Sequence, residues 1–165
     1  CASMHQDLTF SPMNGKGLKI GIVVSRWNAD VADALLEECR AALLATGVRE
    51  KDIIVFEVPG AYELPFAART LIEREKVDAV VCLGCLIKGE TMHFEYIAEA
   101  VSNGIMQVGL TTKIPVIFGV LTCITNEQAE ARASGPHSHG YPWGQTAVEM
   151  ALMRRGKVKG KKKKK

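Results

Sequence analysis

The sequence predicts an α/β fold, a four-stranded parallel sheet covered by helices on both faces. Three observations carry this. Four short apolar runs rich in Val, Ile and Leu recur along the chain. Each is followed by a stretch whose apolar residues are spaced for a helix, and Gly, Pro or Asn marks the junctions. Strands buried on both faces read as continuous apolar runs, and strands alternating with helical patterns belong to βαβ units. In such sheets ligands bind beyond the carboxyl ends of the strands.

Residues 1–17 lack periodicity and read as an N-terminal arm, which stays loose unless tied down, for instance on a neighbouring subunit's sheet edge. Leu18 to Ser25 is the first strand, broken by Arg26-Trp27-Asn28. A helix is predicted from about Asp30 to Thr46, where Val31, Leu35, Cys39 and Leu43 step by four and Gly47 is the stop. Ile53 to Val58 is the second strand, and Pro59-Gly60 turns it into a helix from Tyr62 to about Arg74. The stretch AVVCLGCLIKGETMHFEYIA supplies the third pair. Its strand runs from Ala79 to Leu83, turns are expected at Gly84 and Gly89, and Phe94, Ile97, Ala98 and Val101 have helical spacing. Pro115 to Leu121 is the fourth strand, and Thr125 with Gln128 has capping-box spacing for a helix reaching about Ala133. After a loop of Gly, Pro and His, the last helix is predicted from about Trp143 to Arg154. The folded domain is therefore read as residues 18–155.

Length and composition fit one domain with a real core: 165 residues, 47% hydrophobic and 24% charged. The formal charge of +3 misleads. Nine of the 21 lysines and arginines lie from Arg154 onward, whereas all 18 acidic residues precede it. The body thus carries 12 basic against 18 acidic residues, a balance of −6. The tail, residues 156–165, has nothing apolar to bury and repels itself, so it reads as disordered, a solvated end or an added tag. A lysine run can hold nucleic acid or anionic lipid by charge alone, but neither partner is expected here. Five cysteines at unrelated spacings suit a reduced compartment, so the expected location is cytoplasmic. The first residues show no basic region leading into an apolar run, and no window reaches the ~20 apolar residues of a membrane span.

The third strand-to-helix junction concentrates the chemistry. Free N–H groups and the helix dipole make such a place suited to an anion. Lys88, Glu90, Thr91 and His93 gather there, offering a cation, a carboxylate, a hydroxyl and an imidazole. A positive charge is disfavoured at a helix start, so His93 reads as a neutral imidazole able to take a proton. Lys88 is either a desolvated amine able to form a Schiff base or, more simply, a solvated or phosphate-facing lysine. Trp27, after a strand end, either packs on the next helix or stacks on a planar ligand. Glu63 opens a helix, where favourable interaction with the dipole explains it, and Arg132 ends one, a comfortable place for a cation. Cys82 and Cys85 spell C-x-x-C, but on a strand they face opposite sides, which makes them core cysteines rather than a zinc or redox pair. His137 and His139 have no carboxylate or cysteine nearby in sequence and read as loop histidines; no metal site is expected. No G-x-G-x-x-G or Walker loop is present, which argues against dinucleotides and nucleoside triphosphates.

With these residues in place, the chain resembles the 6,7-dimethyl-8-ribityllumazine synthase family. The matching blocks are Arg26-Trp27-Asn28, VPGAYELP (Val58 to Pro65), GCLIKGETMHFEYI (Gly84 to Ile97), PVIFGVLT (Pro115 to Thr122), EQAEARA (Glu127 to Ala133) and AVEMA (Ala147 to Ala151). They come in family order. Trp27, the Met-His-Phe-Glu-Tyr run and the HSHG…WG loop are most similar to the fungal branch.

The resemblance implies a flavodoxin-like, three-layer, doubly wound sheet of strand order 2-1-3-4, assembled into pentamers that some members stack into a hollow shell. It implies active sites between subunits and a condensation of 5-amino-6-(D-ribitylamino)uracil with 3,4-dihydroxy-2-butanone 4-phosphate, with no metal or redox cofactor. By position, Trp27 with Asn28 meets the pyrimidine, Ala61, Tyr62 and Glu63 hold the ring and ribityl chain, and Cys85, Leu86 and Ile87 line the ring pocket through backbone. Glu90 and Thr91 would bind phosphate, Glu90 through its N–H; His93 would move protons; Phe118 and Arg132 would reach in from the neighbour. Many members carry an Asn-Lys pair where this chain reads Ser134 to Gly140, so His137 or His139 would stand in for that lysine. This loop is also shorter than in the fungal relatives. The competing reading is a non-catalytic riboflavin or lumazine binder on the same fold; a receiver-type signalling domain would need an acidic cluster this sequence lacks.

Overall fold

The computed structural model describes residues 8–158. Its sheet consists of β1 (Ile20–Ser25), β2 (Ile53–Val58), β3 (Ala79–Ile87) and β4 (Val116–Cys123), all parallel in the order β2-β1-β3-β4. Five helices join them: α1 (Ala29–Ala45), α2 (Leu64–Glu75), α3 (His93–Thr112), α4 (Asn126–Ala133) and α5 (Gly140–Arg154). The expected strand order and three layers are both present. The lysine run from residue 159 and residues 1–7 lie outside the described part.

Successive strand residues point to opposite faces, so each strand feeds two cores. Ile22, Val24, Val81 and Leu83 pack with Leu35 and Leu43 of α1 and Val148 of α5 on one side. Val23, Val80 and Cys82 pack with Leu64 and Leu71 of α2 and Val101 and Ile105 of α3 on the other. Double burial is why these strands lack the apolar–polar alternation of a one-sided sheet. Cys82 and Cys85 fall in the two different cores, as their spacing requires. Burial pushes the Cys39 and Cys82 thiols up to about 12, so both stay protonated and inert.

Two expectations need correction. Gly84 is not a turn: β3 continues through it to Ile87. A Cβ there would lie 3.0 Å from Ser25 Oγ and 3.3 Å from Leu64 Cδ1, so the glycine serves close packing between β1, β3 and α2. The last helix begins at Gly140, ahead of Trp143. Gly140 reads in sequence as part of the loop, but it and Gly144 let α5 lie directly on α1; added Cβ atoms would come within 2.6 Å of the Leu35 carbonyl and 2.7 Å of the Cys39 carbonyl. Pro142 sits in the first turn, where its missing N–H leaves no helical hydrogen bond unmade. Residues 13–15 ahead of β1 are fastened to their own chain: Met13 packs on the core, and the Gly15 N–H donates to the Thr46 carbonyl at 2.6 Å.

Candidate active-site groove

A groove of about 650 Å³ opens beyond the carboxyl ends of β1, β2 and β3. Its rim begins where β1 ends. The Arg26 N–H donates to the Val58 carbonyl at 2.9 Å and the Trp27 N–H to the Pro59 carbonyl at 3.2 Å. Held there by its backbone, Trp27 leaves 72% of itself exposed, with its indole on the groove. Asn28 adopts the left-handed conformation (φ 57°, ψ 51°) as N-cap of α1, and its amide donates to the Cys85 carbonyl at 2.9 Å. Asn tolerates that conformation better than other side-chain-bearing residues, and its amide ties β1 to the end of β3. Asn28→Ala is expected to lose both benefits and destabilise the fold by about 2 kcal/mol. Asn28→Gly restores the backbone fit alone and should fall between, as chemical denaturation would show; equal stability of all three would refute the role.

The end of β2 supplies the second wall. Glu63 accepts the Gly60 N–H at 3.0 Å, which shapes the helical turn Ala61–Glu63 before α2. Gly60, Ala61, Tyr62 and Glu63 all line the groove, and Tyr62 is 61% exposed. The floor comes from β3: Cys85, Leu86 and Ile87. Burial and the neighbouring Cys123 push the Cys85 thiol up to about 11, so it contributes shape rather than a nucleophile.

Beyond β3 the chain turns through residues 88–92 into α3. Gly89, Thr91, His93, Phe94 and Ile97 face the groove. The His93 N–H meets Thr91 Oγ1 at 3.4 Å, and α3 starts at His93, so the free N–H groups of a 20-residue helix open here. The structure thus brings ten of the proposed site residues into one groove: Trp27, Asn28, the Ala61–Glu63 turn, Cys85 to Ile87, Thr91 and His93. Phe94 and Ile97 read in sequence as the buried face of a helix, and Asn126 only as a helix start, yet all three line the groove.

The remaining site residues lie elsewhere on this chain. Glu90 is exposed in the loop outside the groove lining. Lys88 turns its amine to Glu95 Oε1 at 2.8 Å. Phe118, 40% exposed, is on β4, the edge strand. Arg132 is exposed in the last turn of α4, with Nη1 donating to the Gln128 carbonyl at 2.9 Å. Thr125 caps that helix through the Gln128 N–H, as the spacing predicts. His137 is exposed in the following loop. The His139 N–H donates to the Arg132 carbonyl at 2.9 Å, and its ring meets Trp143 edge-on at 5.5 Å. Among the described residues, no three His, Cys, Asp or Glu converge as a metal site, and no helix is long and apolar enough to cross a membrane.

Partial desolvation of an otherwise exposed ring, aided by the Arg132 charge, lowers the His139 pKa. The folded chain then favours the neutral ring, and the unfolded chain binds more protons as pH falls below ~6.5. Stability should therefore be lost on acidification from ~6.5 toward the depressed folded value, and not above it. Melting curves from ~pH 7.5 to ~5.5 should fall more steeply for the wild type than for His139→Gln; parallel curves would exclude this contribution.

The fold and groove define a doubly wound α/β protein with an exposed aromatic ring on a groove into which a helix start opens. The sequence profile described as 6,7-dimethyl-8-ribityllumazine synthase matches residues 17–155. Curated relatives with that name include one from Pyricularia oryzae, 42% identical over 187 aligned positions covering 90% of this chain and 94% of the relative. Another, from Schizosaccharomyces pombe, is 46% identical, covering 86% and 91%; one from Porphyromonas gingivalis is 44% identical, covering 86% and 88%. The chain belongs to the 6,7-dimethyl-8-ribityllumazine synthase family. Membership places it among the transferases of riboflavin biosynthesis.

Proposed function

We propose that the groove condenses 5-amino-6-(D-ribitylamino)uracil with 3,4-dihydroxy-2-butanone 4-phosphate at sites completed by a neighbouring subunit of a homopentamer working in the cytoplasm. Trp27 stacks on the pyrimidine, with Asn28 bracing the rim beneath it. Ala61, Tyr62 and Glu63 hold the ring and ribityl chain, and Cys85, Leu86 and Ile87 present backbone groups to the ring edge. The N–H groups of Glu90 and Thr91 take the phosphate at the start of α3. His93 carries protons as amine attack on the ketone gives an imine and water, phosphate leaves, and ring closure releases a second water. Domain boundaries of 18–155 fit this assignment.

The observation that carries the shared site is an absence of basic side chains. The groove lining among the described residues contains no lysine or arginine, although one substrate is a phosphate ester. A dianion in a half-closed pocket needs a cation, and a guanidinium matches phosphate oxygens in pairs. Arg132 and Phe118 lie outside their own chain's groove, which supports their reaching into a neighbour's. His139, beside Arg132, is the better placed of the two loop histidines to accompany it. Exposed apolar side chains at Met92, the N-cap of α3, and at Tyr96, Met106 and Leu110 on that helix offer surface for such a neighbour.

Mixing both substrates with the protein and following lumazine fluorescence separates an enzyme from a binder. Arg132→Ala and His93→Ala proteins, each impaired, should regain activity when unfolded together and refolded as mixed assemblies. No regain, or a monomer by sedimentation, would end the shared-site reading.

A further inference from the structure

The loop between β3 and α3 is bridged by one ion pair. Lys88 is fixed at its backbone, where its N–H donates to the Cys123 carbonyl at 2.9 Å, and at its side chain, where Nζ lies 2.8 Å from Glu95 Oε1. Between these two residues run Gly89 to Met92 and the His93 helix start. Glu95 is the acidic residue in the first turn of α3. The hydrogen bond from Lys88 holds its carboxyl below the usual range, so the charge is present at neutral pH. Its other oxygen, Oε2, is buried without a hydrogen-bond partner.

A carboxylate in a first turn interacts with the same positive helix end that attracts a bound anion, so the two compete. The Lys88 amine does not line the groove, so its route to that competition is the pair with Glu95. We propose that Lys88 is a positioning residue of this site: by pairing with Glu95 it cancels a carboxylate beside the helix start, spans the loop, and keeps both receptive to the phosphate group. The inference rests on reading the groove as the phosphate site, and it assigns the anion affinity partly to a residue that never touches the anion.

The test uses the full chain with Lys88→Met, Glu95→Gln and both changes together. It reads KM for each substrate separately and inorganic phosphate binding by calorimetry. Lys88→Met leaves a bare carboxylate within a helical turn of the anion, so KM for the four-carbon phosphate and Kd for inorganic phosphate should each rise about tenfold. The KM for the pyrimidine and kcat should move less than about twofold, because neither depends on that charge. Adding Glu95→Gln should recover most of the loss, and Glu95→Gln alone should not weaken phosphate binding. An equal loss in the single and double variants, or a loss shared by both substrates, would overturn the proposal. If Lys88→Met does not fold, Glu95→Gln decides: weakened phosphate binding there counts against it. A wild-type protein that makes the product but shows no such charge dependence refutes the positioning role alone. One that neither makes product nor binds phosphate removes the reading of the groove as well.

Discussion

A His93→Ala protein should still form the lumazine product, at roughly 1% of the wild-type kcat. His93 stands at the start of α3, beside Thr91, in the groove that Trp27 also lines. Proton transfer by a positioned side chain commonly contributes ~10²–10⁴-fold, and water can substitute poorly for it. Holding two reactants in register can supply up to ~7–11 kcal/mol, and that part is untouched when an imidazole is removed. The variant should therefore lose kcat while keeping its KM values near those of the wild type. Measuring initial rates by product fluorescence decides it. An unchanged kcat takes His93 out of the mechanism; a total loss would mean that proton transfer carries far more than positioning.

The second large effect lies at the other end of the sheet. Asp78, 6% exposed, precedes β3 and accepts both Arg155 Nε and Nη2 at 2.9 Å, together with the Lys19 N–H at 2.8 Å. One carboxylate thereby joins the entry to β1, the entry to β3 and the residue just past α5. Arg155→Ala strands that nearly buried carboxylate with a single N–H; Arg155 itself is partly exposed, so the loss sits at the low end for breaking a buried pair, about 3 kcal/mol. For a chain of this size the melting temperature should fall by roughly 6–12 °C at matched protein concentration. Arg155→Lys keeps the charge but not the two-pronged contact and should lie between. A melting temperature within about a degree of wild type for Arg155→Ala would show that water already solvates Asp78.

Most of the fold could be read in the sequence, because each strand is apolar on both sides and each helix repeats its apolar residues at helical spacing. Errors came where one residue type serves two purposes. Gly84 and Gly140 read as punctuation, whereas they are sites of close approach between elements; only the neighbouring atoms distinguish the two uses. The site was legible in part for a similar reason. Trp27, Thr91 and His93 sit at strand and helix ends, which topology brings together. Asn126 arrives from α4, and Phe94 and Ile97 share their spacing with core residues. Lys88 was visible as a cation at the junction, but Glu95, seven positions on, is its partner only once α3 winds back toward β3.

The three residues that follow β1 are bolted down in succession: Arg26 and Trp27 to the end of β2, and Asn28 to the end of β3. The backbone that carries the indole is therefore set during folding, not upon ligand arrival. Under the proposed function, a planar guest would meet a rim whose backbone is already in place, and the ordering still to be done belongs to the indole rotamer and the flexible ribityl arm. Discrimination among flat heterocycles should then follow the stiffness and length of what they trail behind them, more than the ring itself.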